Sequence, residues 1–184
     1  MKIDIIGSGN IGSTATEKKE RNSNLLLLIN VAVAFYNVGT AWLVPLSSYP
    51  LWAFVGLKEI QDYHNAWWQS IWGPALFPAG MGFVCAVLMN RWRPKYVSAR
   101  AVRLGVILQV VWVVGTAVWW APLMMSLGSV PGEFSAIQYH ELLTTHWIRV
   151  AIFTSYGILV FWMAAKSWIK PVEHEERHPT TSDI

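Results

Sequence analysis

His146 and Arg149 stand three residues apart in Thr144-Thr145-His146-Trp147-Ile148-Arg149, at the head of an apolar run from Val150 to Trp168. Residues three apart on a helix share a face, and Phe153 and Tyr156 continue this one. An imidazole can carry a proton near neutral pH, and a guanidinium can hold an oxyanion with a planar fork of donors. Trp147 adds a flat apolar surface beside them. Ionisable groups within a bilayer are costly enough to be functional leads by default. The same reasoning brings in His64, which lies near Glu59 and Asp62 ahead of the apolar run from Ala66 to Met89.

Three chemistries suit these residue types. A cofactor-free site would use His146 or His64 as acid–base, Arg149 as the holder of an anionic oxygen, and tryptophans as stacking walls for a flat apolar substrate. A divalent metal would take His64 with Glu59 or Asp62, and His140 with Glu141 or His146, although no two-histidine motif of established metal spacing is present. A bis-histidine haem would need His64 and His146 to face each other at one depth. The cofactor is unknown at this level. The alternative, from a different class, is an accessory or assembly subunit of a larger membrane complex, because so short a chain holds no complete catalytic constellation.

The elements that must position these residues read as membrane helices. Of 184 residues, 54% are hydrophobic and only 14% charged, against roughly 25% charged in an average soluble domain. Several apolar runs approach the roughly 20 residues that cross a bilayer. The pattern predicts an all-α, four-transmembrane-helix bundle over residues 24–170, with a polar amino-terminal tail (1–23) and a polar carboxy-terminal tail (171–184). The spans are Leu25 to about Val44, Ala66 to Met89, Leu104 to Met125, and a fourth opened by the His146–Arg149 stretch. Pro45 is expected to end the first helix, with Ser47-Ser48-Tyr49-Pro50 as a turn. Leu51 to Asn65 mixes charged and aromatic residues and predicts a short interfacial helix between helices 1 and 2.

Asn30, Ala34, Asn37 and Ala41 form a small and polar stripe at helical spacing, the mark of helix–helix packing; Asn37 is also a candidate cavity residue. On the third span Gln109, Trp112, Thr116 and Trp119 or Trp120 share a face. The glycine run Gly7-Ser8-Gly9-Asn10-Ile11-Gly12 lacks the strand–helix–strand context of a dinucleotide site and reads as tail. Lone Cys85 excludes an intrachain disulfide.

Arg91, Arg93, Lys95, Arg100 and Arg103 lie between the second and third spans without one acid, and Lys18, Lys19 and Arg21 precede the first. The net charge of +3 is therefore locally clustered and speaks of orientation, not of nucleic acid. The positive-inside rule predicts both termini in the cytoplasm. Of twelve tryptophans, Trp42, Trp52, Trp67, Trp68, Trp72, Trp119, Trp120 and Trp147 then fall near the outer ends, and only Trp92 and Trp168 clearly near the inner ones. Ordinary aromatic belts occupy both interfaces. The excess predicts an aromatic-walled pocket in the outer half, with Asn37, Trp67, Trp68, Trp119, Trp120 and Trp147 against an apolar aromatic or quinone-like molecule, and His64, His146 and Arg149 as its polar groups.

With these residues placed, the chain resembles a family of small four-helix bacterial membrane proteins, distantly similar to the membrane domain of fungal anthrone oxygenases. The resemblance rests on Val44 through Tyr49-Pro50, Tyr63-His64, Arg93-Pro94, Trp112, Thr116, Pro122-Leu123 and Leu143 through Arg149, and covers roughly Leu25 to Trp168. His146 stands where that pattern usually carries an asparagine. The resemblance implies a bacterial inner (plasma) membrane and, at best, an aromatic oxidation embedded in lipid.

Overall fold

The computed structural model describes residues 10–56, 58–127 and 136–169, with side chains from Thr16 onward. Seven α segments form four long rods: α1 (Asn10–Leu43) and α2 (Tyr49–Trp52); α3 (Ile60–Ile71) and α4 (Phe77–Arg91); α5 (Ala99–Gly115) and α6 (Ala121–Ser126); and α7 (Ala136–Trp168). The rods hold four stretches long and apolar enough to cross a membrane, Thr16–Trp52, Ile60–Arg91, Ala99–Ser126 and Ala136–Trp168. Among the described residues there is no strand. The first rod packs on the second and fourth, and the third closes the ring between those two. Four crossings return the chain to its starting side. One end of the bundle carries the Arg91–Arg103 cations; the candidate residues gather toward the opposite end.

Three rods are joined within themselves by a five-residue π turn: Val44–Ser48, Trp72–Leu76 and Thr116–Trp120. Prolines explain them. A proline has no N–H and crowds the carbonyl four residues earlier, and in a membrane no water replaces the lost bond. A local shift to i→i+5 pairing lets the helix continue. Pro45 lies within the first π turn and Pro74 within the second. Pro78 and Pro122 each stand four residues after a carbonyl of a π segment, those of Pro74 and Val118. Pro45 therefore does not end the first rod, and the expected turn at Ser47–Pro50 is helical.

That continuation redraws the interfacial helix. Leu51 and Trp52 complete the first rod, Ile60 to Asn65 open the second, and a tight turn around Ala53 to Gly56 joins them. Residues 10–23, read as part of the tail, belong to α1, so Gly12 is helical; Gly7 to Gly9 and residues 171–184 lie outside the described residues. On the fourth rod, Ala136 to Thr145 already belong to α7.

The stripe Asn30, Ala34, Asn37 and Ala41 faces inward, each residue buried. Leu27, Ala34, Met89, Val102, Tyr156 and Val160 fill the basic half, and Val44, Tyr49, Trp52, Leu123, Met124 and Leu142 cap the other end. Gly157 permits the close approach of the first and fourth rods, because a Cβ there would stand 2.9 Å from Val38 Cγ2. Within the basic half, the Tyr156 hydroxyl donates to Asn30 Oδ1 at 2.9 Å.

Candidate functional site

The site starts from a carbonyl that Pro45 strands. In an α-helix the oxygen of Ala41 would accept from the N–H of residue 45, and proline has none. Buried His146 of α7 takes that place, with Nε2 3.2 Å from the Ala41 oxygen. A carbonyl only accepts, so Nε2 carries the proton and Nδ1 is left as an acceptor. Nδ1 is buried and bonds no other protein group.

Tyr49, one turn beyond Pro45, stands edge-on to the His146 ring at 5.2 Å. Its own carbonyl, at the end of the first rod, accepts from the Tyr139 hydroxyl at 2.7 Å, which ties that end to α7. The Tyr49 hydroxyl lies beside the Arg149 guanidinium, is fully buried, and closes no hydrogen bond. Arg149 turns inward, its Cζ 4.6 Å from the Trp120 ring centroid. Trp119 stacks parallel behind Trp120 at 5.9 Å and donates from Nε1 to Glu141 Oε1 at 2.8 Å. The stack depends on Gly115: across the i, i+5 step of the third π turn, a Cβ there would come within 2.7 Å of Trp120 Cζ3.

Tyr49, His146 and Arg149 meet at a cavity of about 90 Å³ lined by residues of all four rods. Asn37, Val44 and Tyr49 come from the first, Trp67, Trp68, Ile71 and Leu76 from the second, Trp112 and Met124 from the third, and His146, Arg149 and Phe153 from the fourth. Its wall is apolar and aromatic. Into that wall are set three residues that each keep one polar atom without a protein partner: His146 Nδ1, the Tyr49 hydroxyl and Arg149 Nε. The Asn37 amide is committed elsewhere, donating from Nδ2 to the Pro78 carbonyl at 3.0 Å.

Of the residues singled out by sequence, Asn37, Trp67, Trp68, His146 and Arg149 line this cavity. Trp119 and Trp120 do not line it; Trp120, the buried member of that pair, lies under the Arg149 guanidinium. Trp119 supports Trp120 from the bundle surface. Trp147 does not line the cavity; it is 45% exposed and packs edge-on against Trp42. Arg149, expected as a polar group of the pocket, lines the cavity with its guanidinium stacked on Trp120.

His64 does not line the cavity either. It is buried with Nε2 3.4 Å from Met124 Sδ, edge-on to Trp52. Trp52 in turn packs on Tyr49 and Tyr49 on His146. Two aromatic rings thus link the imidazoles, and Nε2 of each is engaged, so the pair does not face across a haem-sized gap. Among the described residues no three His, Cys, Asp or Glu side chains cluster as a metal would require.

The sequence reading missed Tyr49 as a site residue, together with Trp112, Met124 and Phe153. Tyr49 was hidden because the Pro45–Pro50 interval reads as a turn. The available signal was the pair of prolines within one apolar stretch. Each strands a carbonyl, and in a bilayer a stranded carbonyl calls for a donor from another helix.

The fold and its apolar exterior define an integral membrane protein, an all-α bundle of four helices long enough to cross a bilayer. No family model, curated protein or solved structure matches the chain.

Proposed function

We propose that the cavity binds a flat aromatic molecule carrying an acidic oxygen, of the hydroxyquinone or quinol kind, and that the protein is oxidoreductase-like or quinone-binding. One observation carries this reading: two donors, the Tyr49 hydroxyl and Arg149, stand with one acceptor, His146 Nδ1, in a mostly apolar, aromatic wall whose other polar side chains, Asn37 and Thr40, are bonded to backbone carbonyls. Such an inventory suits a phenol or enol. The oxygen sits between Tyr49 and Arg149, and His146 Nδ1 accepts a proton as that oxygen becomes anionic. Trp67 and Trp68 supply stacking surface, and the resemblance to anthrone-oxygenase-like membrane domains points the same way.

Size refines the proposal. A cavity of about 90 Å³ is smaller than the roughly 150 Å³ that accepts a benzene ring. The cavity therefore reads the oxygen-bearing edge of the ligand, and the rest of the ring enters as the wall gives way. π segments recur at functional sites, and Val44, Ala75 and Leu76 of two π turns line this cavity. By the positive-inside rule the basic end faces the cytoplasm, with both termini there, and the cavity opens toward the outer half of a bacterial inner membrane.

The test is purification in mild detergent, an absorption spectrum with mass spectrometry of co-purifying species, and calorimetric titration with a naphthohydroquinone. Wild type should bind. Arg149→Lys and Tyr49→Phe should fold yet bind tenfold to a hundredfold more weakly, the loss of one charge-assisted bond in a partly desolvated site. Full affinity in Arg149→Lys sinks the reading. A stoichiometric protein partner, with no small molecule and no titration, would favour the accessory-subunit role instead.

A further inference from the structure

At the basic end a groove of about 450 Å³ runs between the start of the first rod and Trp92, lined by Lys18, Lys19, Asn22, Leu25, Ile29 and, more deeply, Leu26. Helical turning of about 100° per residue places Lys18, Asn22, Leu25 and Ile29 in one stripe along the rod, with Lys19 and Leu26 at its side. By the same turning Glu20 lies on the opposite face and Glu17 on the flank away from Lys19, and neither lines the groove. Charge on this stretch is thus sorted, with lysines over the groove and acids off it. The stripe changes character along its length. Its first turn carries two exposed ammonium groups, and the next two turns carry exposed apolar side chains, Leu25 and Ile29, facing the exposed indole of Trp92.

We infer that this groove binds one anionic phospholipid, its phosphate held by Lys18, Lys19 and Asn22 and an acyl chain lying along Leu25, Leu26 and Ile29 against Trp92. From Lys18 to Ile29 the rod rises about 16 Å, close to one leaflet's half of a hydrocarbon core about 30 Å thick. A free phosphate would use only the lysine end. The apolar floor is what selects a lipid. Arg91, Arg93 and Lys95 flank Trp92 on the facing rod and its loop, are exposed, and raise the positive field over the same headgroup.

The test uses the full chain in nanodiscs of mixed phosphatidylglycerol and phosphatidylcholine, with native mass spectrometry of retained lipid after detergent extraction. Wild type should retain phosphatidylglycerol over phosphatidylcholine. Lys18→Gln/Lys19→Gln should weaken that retention about 30-fold, from the contribution of two cations near a membrane surface. Trp92→Ala should weaken it while leaving inorganic phosphate binding unchanged. Arg100→Gln/Arg103→Gln removes equal charge from the start of α5 and should change retention little. Equal retention of the two lipids overturns the site. So does an Arg100/Arg103 variant as weak as the lysine pair, which would mean diffuse attraction. Displacement of the retained lipid by millimolar inorganic phosphate would reassign the groove to free phosphate and also overturn it.

Discussion

His146 and Pro45 should be energetically coupled although they lie on different helices. If His146 is held by a carbonyl that Pro45 leaves without a donor, removing the imidazole strands that carbonyl in a buried place. His146→Phe keeps a ring against Tyr49 and deletes the N–H. A buried acceptor left unpaired costs about 1–3 kcal/mol, so this variant should lose about that much. Pro45→Ala restores an N–H four residues after Ala41, where an α-helical bond can form. In that background the carbonyl has a second donor, and His146→Phe should cost little beyond its packing change. The cycle should therefore show a coupling of about 1–2 kcal/mol, within the range seen for residues sharing one hydrogen-bond network.

Reversible unfolding in mixed micelles, on wild type, both single variants and the double variant, measures it. An equal cost for His146→Phe in both backgrounds would refute the reasoning, because the Ala41 carbonyl would then owe nothing to the imidazole. The result also bears on chemistry. Only while Nε2 donates to Ala41 is Nδ1 committed as an acceptor, so loss of the coupling would undo the tautomer on which the proposed proton acceptance rests.

Three further outcomes are expected. Gly115→Ala should displace the Trp120 ring, which a Cβ would approach to 2.7 Å; the variant should lose naphthohydroquinone affinity while Arg149 stays in place in sequence, and an unchanged titration would show that the Arg149–Trp120 stack is dispensable. Tyr156→Phe removes the 2.9 Å bond to Asn30 and should cost about 0.6–1.7 kcal/mol in micelle unfolding, the range measured for interhelical hydrogen bonds in membranes; a neutral result would mean that Asn30 finds another donor. For orientation, cysteines placed at Tyr96 and Glu59 in a Cys85→Ser background should differ toward an impermeant maleimide. In intact cells Glu59→Cys should react and Tyr96→Cys should not, and the reverse pattern would put the cavity in the cytoplasmic half.

Much of the bundle was legible because a bilayer is a demanding solvent. It requires long apolar runs with internal hydrogen bonding, and those runs show plainly in composition. The stripe Asn30–Ala41 announced its inward face by spacing alone, and the His146–Arg149–Phe153 face leads into the cavity as helical periodicity requires. What spacing could not convey was partner choice across helices. Trp119 and Trp120 are adjacent and chemically identical, and only the π turn at Thr116–Trp120 decides which one lies under Arg149. Trp147 differs from His146 by one residue and so by about 100° of rotation, enough to send it to the bundle surface. His64 reads as an acid–base candidate on a short interfacial helix, yet the second rod begins at Ile60, so His64 is a core residue against Met124 and Trp52.

The prolines connect these points. In a soluble helix Pro45 would have ended the element, because water satisfies the freed backbone groups and the chain can turn away. Within an apolar bundle the chain continues instead, and the cost moves to the carbonyl four residues earlier. That carbonyl needs a donor from a neighbouring helix, which draws a polar side chain into an otherwise apolar interior. His146 answers Ala41, and the second nitrogen of the same ring then has no backbone group to serve. A similar demand, made where the first rod ends, places the Tyr139 hydroxyl on the Tyr49 carbonyl and steadies the ring whose own hydroxyl faces Arg149. The polar atoms available to a ligand are in this sense by-products of repairing a helix. They belong to side chains already fixed by backbone bonds or aromatic stacking, so the proposed ligand would find little ordering left to be done. Under the proposed function that preorganisation suits a site in lipid, and residues of two π turns, Val44, Ala75 and Leu76, line the cavity.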